Sequence, residues 1–353
     1  MTELSRRIEP FLGNAIHRMQ NEAPISNAPT VNRLVALTHT DLRLVDDIIQ
    51  NRMQSHVGLI PVLAGHLVGS GGKRLRPMLT VACAKLAGYN GTLHHSLAAA
   101  IELLHSATLL HDDVVDGSEL RRGLQTANMV WGNRVTIFVG DFLLAQCFDL
   151  IIETHSLRAL KLLSDVTAVM AQGEIDQLSV IGRLECSEAT YYEVIDAKTA
   201  DLFAVSCRMA AAIIAPDNHH DAAFDAYGRN LGLAFQLVDD ALDYTSTDTV
   251  MGKSQGDDFR EGKITLPVIL SYKNGDETAR SFWLKTMSDR NCIDDAALAE
   301  ALVHMRTSGA VEETLTHARQ YAEKAKHALN EFPDTEIKMA LIEAADFSVA
   351  RRS

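Results

Sequence analysis

The sequence predicts an all-α fold, and three observations point that way. No proline occurs between Pro77 and Pro216, so nothing in that stretch forces a helix to break. Residues there recur at helical spacing, as with Leu97, Ile101, Leu104, Thr108 and Leu109. Alternating apolar and polar runs of strand type are hard to find. At 353 residues and 47% hydrophobic content, the chain can bury a large core.

From the N-terminus, MTELSRRIEPFLGNAIHRMQ mixes Glu3 and Glu9 with Arg6 and Arg7 and lacks the apolar core of a signal peptide. With NEAPISNAPT at 21–30 it reads as a separate helix and linker, residues 1–30. Residues 31–353 read as one all-α domain of long helices. The breaks between them, rich in Gly, Pro, Asn or Asp, fall at 87–94, 215–221, 252–263, 273–277 and 332–336. No fixed-period repeat is found, and no apolar stretch of 18 residues is expected to cross a membrane. The 33 basic against 46 acidic residues give a net charge of -13, which argues against a nucleic-acid or anionic-membrane binder. The cysteines Cys83, Cys147, Cys186, Cys207 and Cys292 are scattered without a CxxC pair and read as small buried apolar residues. A cytoplasmic location is expected.

LLHDDVVDGSELRRG at 109–123 concentrates charge where an apolar helix, IELLHSATLL, ends. Asp112, Asp113 and Asp116 stand at i, i+1 and i+4, so three carboxylates are expected to crowd one face, where they repel. NLGLAFQLVDDALDYTS at 230–246 repeats the pattern with Asp239, Asp240 and Asp243, each 127 residues after its counterpart. Oxygen-only ligands in this number suit a hard cation, and Mg²⁺ is usually held by few carboxylates together with substrate phosphate oxygens. Two facing acidic helices therefore suggest a phosphate ester bridged by Mg²⁺. The loop spacing and glycine of a Ca²⁺-binding hand are missing. Cations for the phosphates are also present: GGKRLRP at 71–77 sets Lys73, Arg74 and Arg76 behind two glycines, and Arg121 and Arg122 follow the first acid run. Lys198, Lys253 and Lys263 lie around the second.

In these motifs the chain resembles the trans-isoprenyl diphosphate synthases of the polyprenyl synthetase family. GGKRLRP, HDDVVDGSELRRG, KTA, FQLVDDALD and GKITLP occur in that family's order, and the likeness covers roughly residues 35 to 350. TANMVWGN and VGDFLLAQ look like the long-chain branch that makes octaprenyl or decaprenyl diphosphate. The resemblance implies a single bundle of long antiparallel helices around a deep apolar cavity, working as a homodimer. It implies Mg²⁺ ligation by Asp112, Asp116 and Asp239, with Asp113 and Asp240 in support and three Mg²⁺ ions present when substrate is bound. Arg121, Lys198 and Lys253 are then expected to hold the allylic diphosphate, with Lys263 as a further cation. Lys73, Arg76, His105 and Arg122 are expected to hold the metal-free diphosphate of isopentenyl diphosphate. Thr199 and Gln236 are expected to line the allylic cation.

The reaction so implied ionises the allylic C–O bond, adds the isopentenyl double bond to the cation and loses a proton, for a quinone side chain. Small residues at Ala107 and Thr108, one turn before Asp112, are expected to leave room for a long product. The expected partners are isopentenyl diphosphate, an allylic diphosphate and a second copy of the chain. Peripheral membrane contact is expected at product release; a transmembrane segment and nucleic acid are not. Among rival readings, a geranylgeranyl-type short or medium product differs only in length. A terpene cyclase leaves GGKRLRP without a use, and an HD-type phosphohydrolase leaves the second acid run idle. A non-catalytic partner subunit is expected to lack motif residues that are all present here.

Overall fold

The computed structural model describes residues 30–69, 74–121, 123–184, 187–214, 220–245 and 255–351. The predicted helix and linker at 1–30 therefore lie, but for Thr30, outside the described residues. Within them the chain is helical almost throughout, as the uninterrupted helical spacing predicts. Helices α1 (Asn32–Arg52), α2 (Leu59–Gly69) and α3 (Leu75–Leu86) lead into the long α4 (Leu93–Val115). A two-stranded antiparallel hairpin, β1 (Leu120–Arg121) with β2 (Leu124–Gln125), is the departure from all-α structure among the described residues.

Beyond the hairpin come α5 (Ala127–Trp131), α6 (Asn133–Glu153), α7 (Leu157–Val180) and α8 (Glu188–Ile195). A π-turn, Asp196–Ala200, joins α8 to α9 (Asp201–Ala211), and α10 (Asp221–Asp243) follows. The remainder is α11 (Asp257–Arg260), α12 (Leu266–Asn274), α13 (Glu277–Ser288), α14 (Asp295–Ser308), α15 (Ala310–Ala328) and α16 (Glu336–Ala350).

Two helices organise the bundle. α4 packs along α6 and also touches α1 and α3. Its inner side, including Leu97, Ile101, Leu104, Ala107 and Leu110, joins Val139, Leu143, Leu163, Val166, Leu202 and Val205 in one apolar core. α10 lies between α9 and α15, and its glycines set how closely. A Cβ on Gly228 would stand 2.5 Å from the Phe203 carbonyl oxygen, and one on Gly232 would stand 2.6 Å from Ala200 Cα. Backbone therefore meets backbone where α10 crosses the π-turn.

At the N-terminal end of α4, Asp41 of α1 ties three helices together. Its carboxylate takes Lys85 of α3 at 2.6 Å and the Nε2 atoms of His94 and His95 at 3.2 and 2.9 Å. These ligand-type atoms lie within 4.8 Å of one another, and the carboxylate already accepts from an ammonium and two imidazoles. Burial pushes the Asp41 carboxyl up, but Lys85, His95 and His94 outweigh it and hold the pKa at about 2.

The expectation that no 18-residue stretch is apolar enough to cross a membrane is corrected by α6. An 18-residue window in Asn133–Glu153 has a mean hydropathy of 1.9. The reason is a helix apolar on two sides: Val139, Leu143, Cys147 and Leu150 enter the core, while Phe138 is 68% and Ile152 55% exposed. Cys83, Cys147 and Cys207 are buried free thiols and Cys292 is half-buried; Cys186 lies outside the described residues.

Candidate active site

Both acid runs end helices. α4 closes at Val115 with Asp116 as its C-cap, α10 closes at Asp243, and neither has a basic residue in its last turn. A helix C-terminus already carries about half a negative charge, so each run sets carboxylates against the local dipole. Such an arrangement is relieved by a bound cation.

The members of each run do not share one face, which corrects the expectation of three crowded carboxylates. Asp113 is 2% exposed and takes the Arg121 guanidinium at 2.8 Å, with Nε at 3.0 Å. Asp240 is 3% exposed and accepts from Tyr191 Oη at 2.6 Å and Gln236 Nε2 at 2.7 Å. Adjacent helical residues point about 100° apart, so the i+1 carboxylate turns into the bundle while its neighbours at i and i+4 stay at least partly exposed. Burial, with Asp258 and Asp239 close by, pushes the Asp240 carboxyl up to about 7 against the opposing hydrogen bonds of Tyr191 and Gln236.

Asp112 is half-buried and Asp116 is exposed. Burial raises Asp112 to about 7, with Glu174 and Asp116 adding to the rise and Lys198 and Arg121 opposing it. Its carboxylate is short of positive charge, which fits a cation site built of oxygen donors. Lys263 stands 3.6 Å from Asp116 of the first run and 4.0 Å from Asp258, which follows the second run in sequence, and it also pairs with Glu261. Asp258 in turn donates its backbone N–H to Asp243 Oδ2 at 3.2 Å, so α11 is fastened to the end of the second run. Asp239 meets a group that has no local signal in sequence: Arg351, at 2.8 Å, its guanidinium stacked 3.8 Å over the Phe235 ring.

The π-turn supplies the next wall. Lys198 reaches Glu174 at 2.8 Å and Gln177 at 2.8 Å, both on α7, and Thr199 Oγ1 donates to Gln236 Oε1 at 2.8 Å. Thr199, Gln236, Asp240 and Tyr191 thus form one hydrogen-bonded chain. Of these, Tyr191 was not identified from sequence, and neither were Glu174 and Gln177, although their i, i+3 spacing in AQGEIDQ marks one polar face.

On the α3 side, Arg76 packs its guanidinium 4.4 Å over Phe203 and donates to His105 Nε2 at 3.1 Å. Its Nε is buried without a hydrogen-bond partner among the described residues. Burial pulls the guanidinium down to about 10, while Glu102 and Asp239 pull it back up. A buried donor aimed at no acceptor is suited to an anion. Arg74 is different: it caps α3 in a left-handed conformation (φ 47°) and pairs with Glu102 at 2.5 Å and Asp46 at 3.4 Å. Lys73, Arg122 and Lys253 lie outside the described residues.

Thr108 and Ala107 part company. Thr108 is half-buried on the face of Asp112 and donates to the His105 carbonyl at 2.9 Å, whereas Ala107 is 2% exposed within the α4–α6–α7 core.

The polyprenyl synthetase family model matches residues 59–305. The chain is 38% identical over 325 residues to the octaprenyl diphosphate synthase of Haemophilus influenzae, covering 91% of this chain and 97% of that one. A crystal structure of a polyprenyl synthase from Caulobacter crescentus, complexed with calcium and isoprenyl diphosphate, superposes with a TM-score of 0.89 at 46% identity, over 93% of this chain and all (100%) of that one. A decaprenyl diphosphate synthase from Rhodobacter capsulatus superposes with a TM-score of 0.86 at 41% identity, over 91% and 98% of the two chains.

Proposed function

The chain belongs to the polyprenyl synthetase family, and on that premise we propose that it condenses isopentenyl diphosphate with an allylic diphosphate to build a long all-trans polyprenyl diphosphate of octaprenyl or decaprenyl length. The observation that carries this reading is that two helices end in aspartates and share cationic neighbours: Lys263 reaches Asp116 at the end of α4 and Asp258, whose N–H is bonded to Asp243 at the end of α10, while Lys198 acts on Asp112 and Arg76 feels Asp239. The calcium and isoprenyl diphosphate in the Caulobacter relative's crystal support a divalent cation beside a diphosphate.

Asp112, Asp116 and Asp239 would hold Mg²⁺, with three ions expected once substrate is bound. The metal supplies charge neutralisation for the departing diphosphate. The chain's own groups do the remainder. Arg121, held by Asp113, and Lys198, held by Glu174 and Gln177, would take the allylic diphosphate, with Lys253 and Lys263 as further cations for it. Arg76, its Nε awaiting an acceptor, and His105 take the diphosphate of isopentenyl diphosphate, together with Lys73 and Arg122. The Thr199 and Gln236 dipoles stand fixed before ionisation occurs, so no reorganisation opposes the developing allylic cation. The exposed face of α6 supports a homodimer, and a quinone side chain is the proposed use of the product.

Purified protein given labelled isopentenyl diphosphate, an allylic primer and Mg²⁺ is expected to yield one dominant long product. Asp112→Ala and Asp239→Ala, like EDTA, are expected to lower turnover by orders of magnitude with the helical circular dichroism intact. Undiminished condensation in EDTA would overturn the proposal.

A further inference from the structure

One side chain outside the site reaches both ends of the π-turn that carries Lys198 and Thr199. Its closing hydrogen bond runs from the Asp201 backbone N–H to the Asp196 carbonyl, spanning five residues. The side chains of those same two residues are gripped by a single guanidinium, Arg229 on α10. One of its terminal nitrogens reaches Asp196 Oδ2 at 2.6 Å, and the other reaches Asp201 Oδ1 at 2.7 Å. Asp225, one turn earlier on α10, steadies Nε at 3.3 Å.

A π-turn carries one residue more than an α-turn and is rare, so something has to favour it over continuous helix. Gly228 and Gly232, flanking Arg229, bring α10 within backbone contact of α9 and of the π-turn, which places the planar fork across both ends at once. Relaxing the extra residue into a regular helix would rotate part of the segment by about 100°, carrying Lys198 or Thr199 off the site. We infer that Arg229 is a positioning residue for the reaction: by clamping Asp196 to Asp201 it phases Lys198 and Thr199 toward the allylic diphosphate. The inference rests on the function proposed above.

The neighbouring Arg208 provides the comparison. It joins the same charged row through Asp221 at 2.9 Å and Asp225 at 3.3 Å, yet it touches neither end of the turn. Arg229→Gln is expected to raise the allylic KM or lower kcat tenfold or more, leave the isopentenyl KM within twofold, and speed hydrogen exchange of the amides at 196–201. Arg208→Gln is expected to change none of these by more than about twofold. Arg229→Lys should stay impaired, because a compact ammonium does not reproduce the planar fork whose two terminal nitrogens reach Asp196 and Asp201 separately. If Arg229→Gln fails to fold, Asp196→Asn and Asp201→Asn, each removing one arm, take its place with the same expectation.

Matching behaviour of the Arg229 and Arg208 variants, unchanged exchange at 196–201, or full rescue by Lys would overturn the clamp. Lys198→Ala in the same assay separates the two readings. If it leaves the allylic KM unmoved, the assignment of Lys198 fails; if it raises that KM while Arg229→Gln changes neither that KM nor kcat, the clamp alone fails.

Discussion

Asp113 and Asp240 hold corresponding places in two acid runs, and both are buried anchors for a second side chain, Arg121 in one case and Gln236 in the other. An ionised carboxylate in a dry site stabilises only when its lone pairs are taken by donors. Asp41 shows the same logic away from the active site, with Lys85, His94 and His95 on one carboxylate. Its pKa stands at about 2 against an ordinary 3.8, so the folded state favours the ionised form. The resulting stability is fully present above about pH 4 and is lost as pH falls toward 2. Asp41→Asn is expected to lower stability by about 2 kcal/mol at pH 7. In urea unfolding followed from pH 6 to pH 3, the gap between variant and parent should narrow as acid is added. A gap that stays constant would show that packing, rather than the charge, is what Asp41 contributes.

Single helices carry the chain-length question. Thr108 and Ala107 are neighbours in sequence and equally small, but α4 turns one toward the Asp112 face and the other into the core. Thr108→Phe is therefore expected to shorten the product towards three or four isoprene units while the first condensation proceeds. Ala107→Phe should instead overpack the contact with α6 and α7, costing about 1–3 kcal/mol of stability. Sizing the labelled products and measuring the melting temperatures of both variants checks the pair. A full-length product from Thr108→Phe at normal rate would place the growing chain elsewhere. The acid runs were legible in sequence because helical periodicity converts i, i+4 spacing directly into a shared edge. The π-turn was not, since KTA within a helical pattern carries no mark of one extra residue; packing against the glycines of α10 and the grip of Arg229 decide it.

Across the whole molecule, the outer face of α6 is the place where burial within one chain leaves apolar surface over. Phe138 at 68% and Ile152 at 55% exposure are large side chains with no core to enter. A second copy of the chain covering this face would account for them. Phe138→Glu is expected to halve the mass seen in sedimentation and to reduce turnover, because α6 also backs the α4 helix that carries Asp112. An unchanged sedimentation mass would exclude this face as the interface.

By itself the sequence determined the helical class, the two acid runs and most of the basic groups, because helix formation, like-charge crowding and Arg–phosphate complementarity are local in the chain. Arg351 on Asp239, Tyr191 on Asp240, Lys263 on Asp116 and Arg229 across the π-turn were decided only by the tertiary structure. Each of these pairs joins a group to a partner on another element. Whether two charges on separate elements meet depends on how closely those helices pack, which Gly228 and Gly232 set on α10 and buried alanines set on α4.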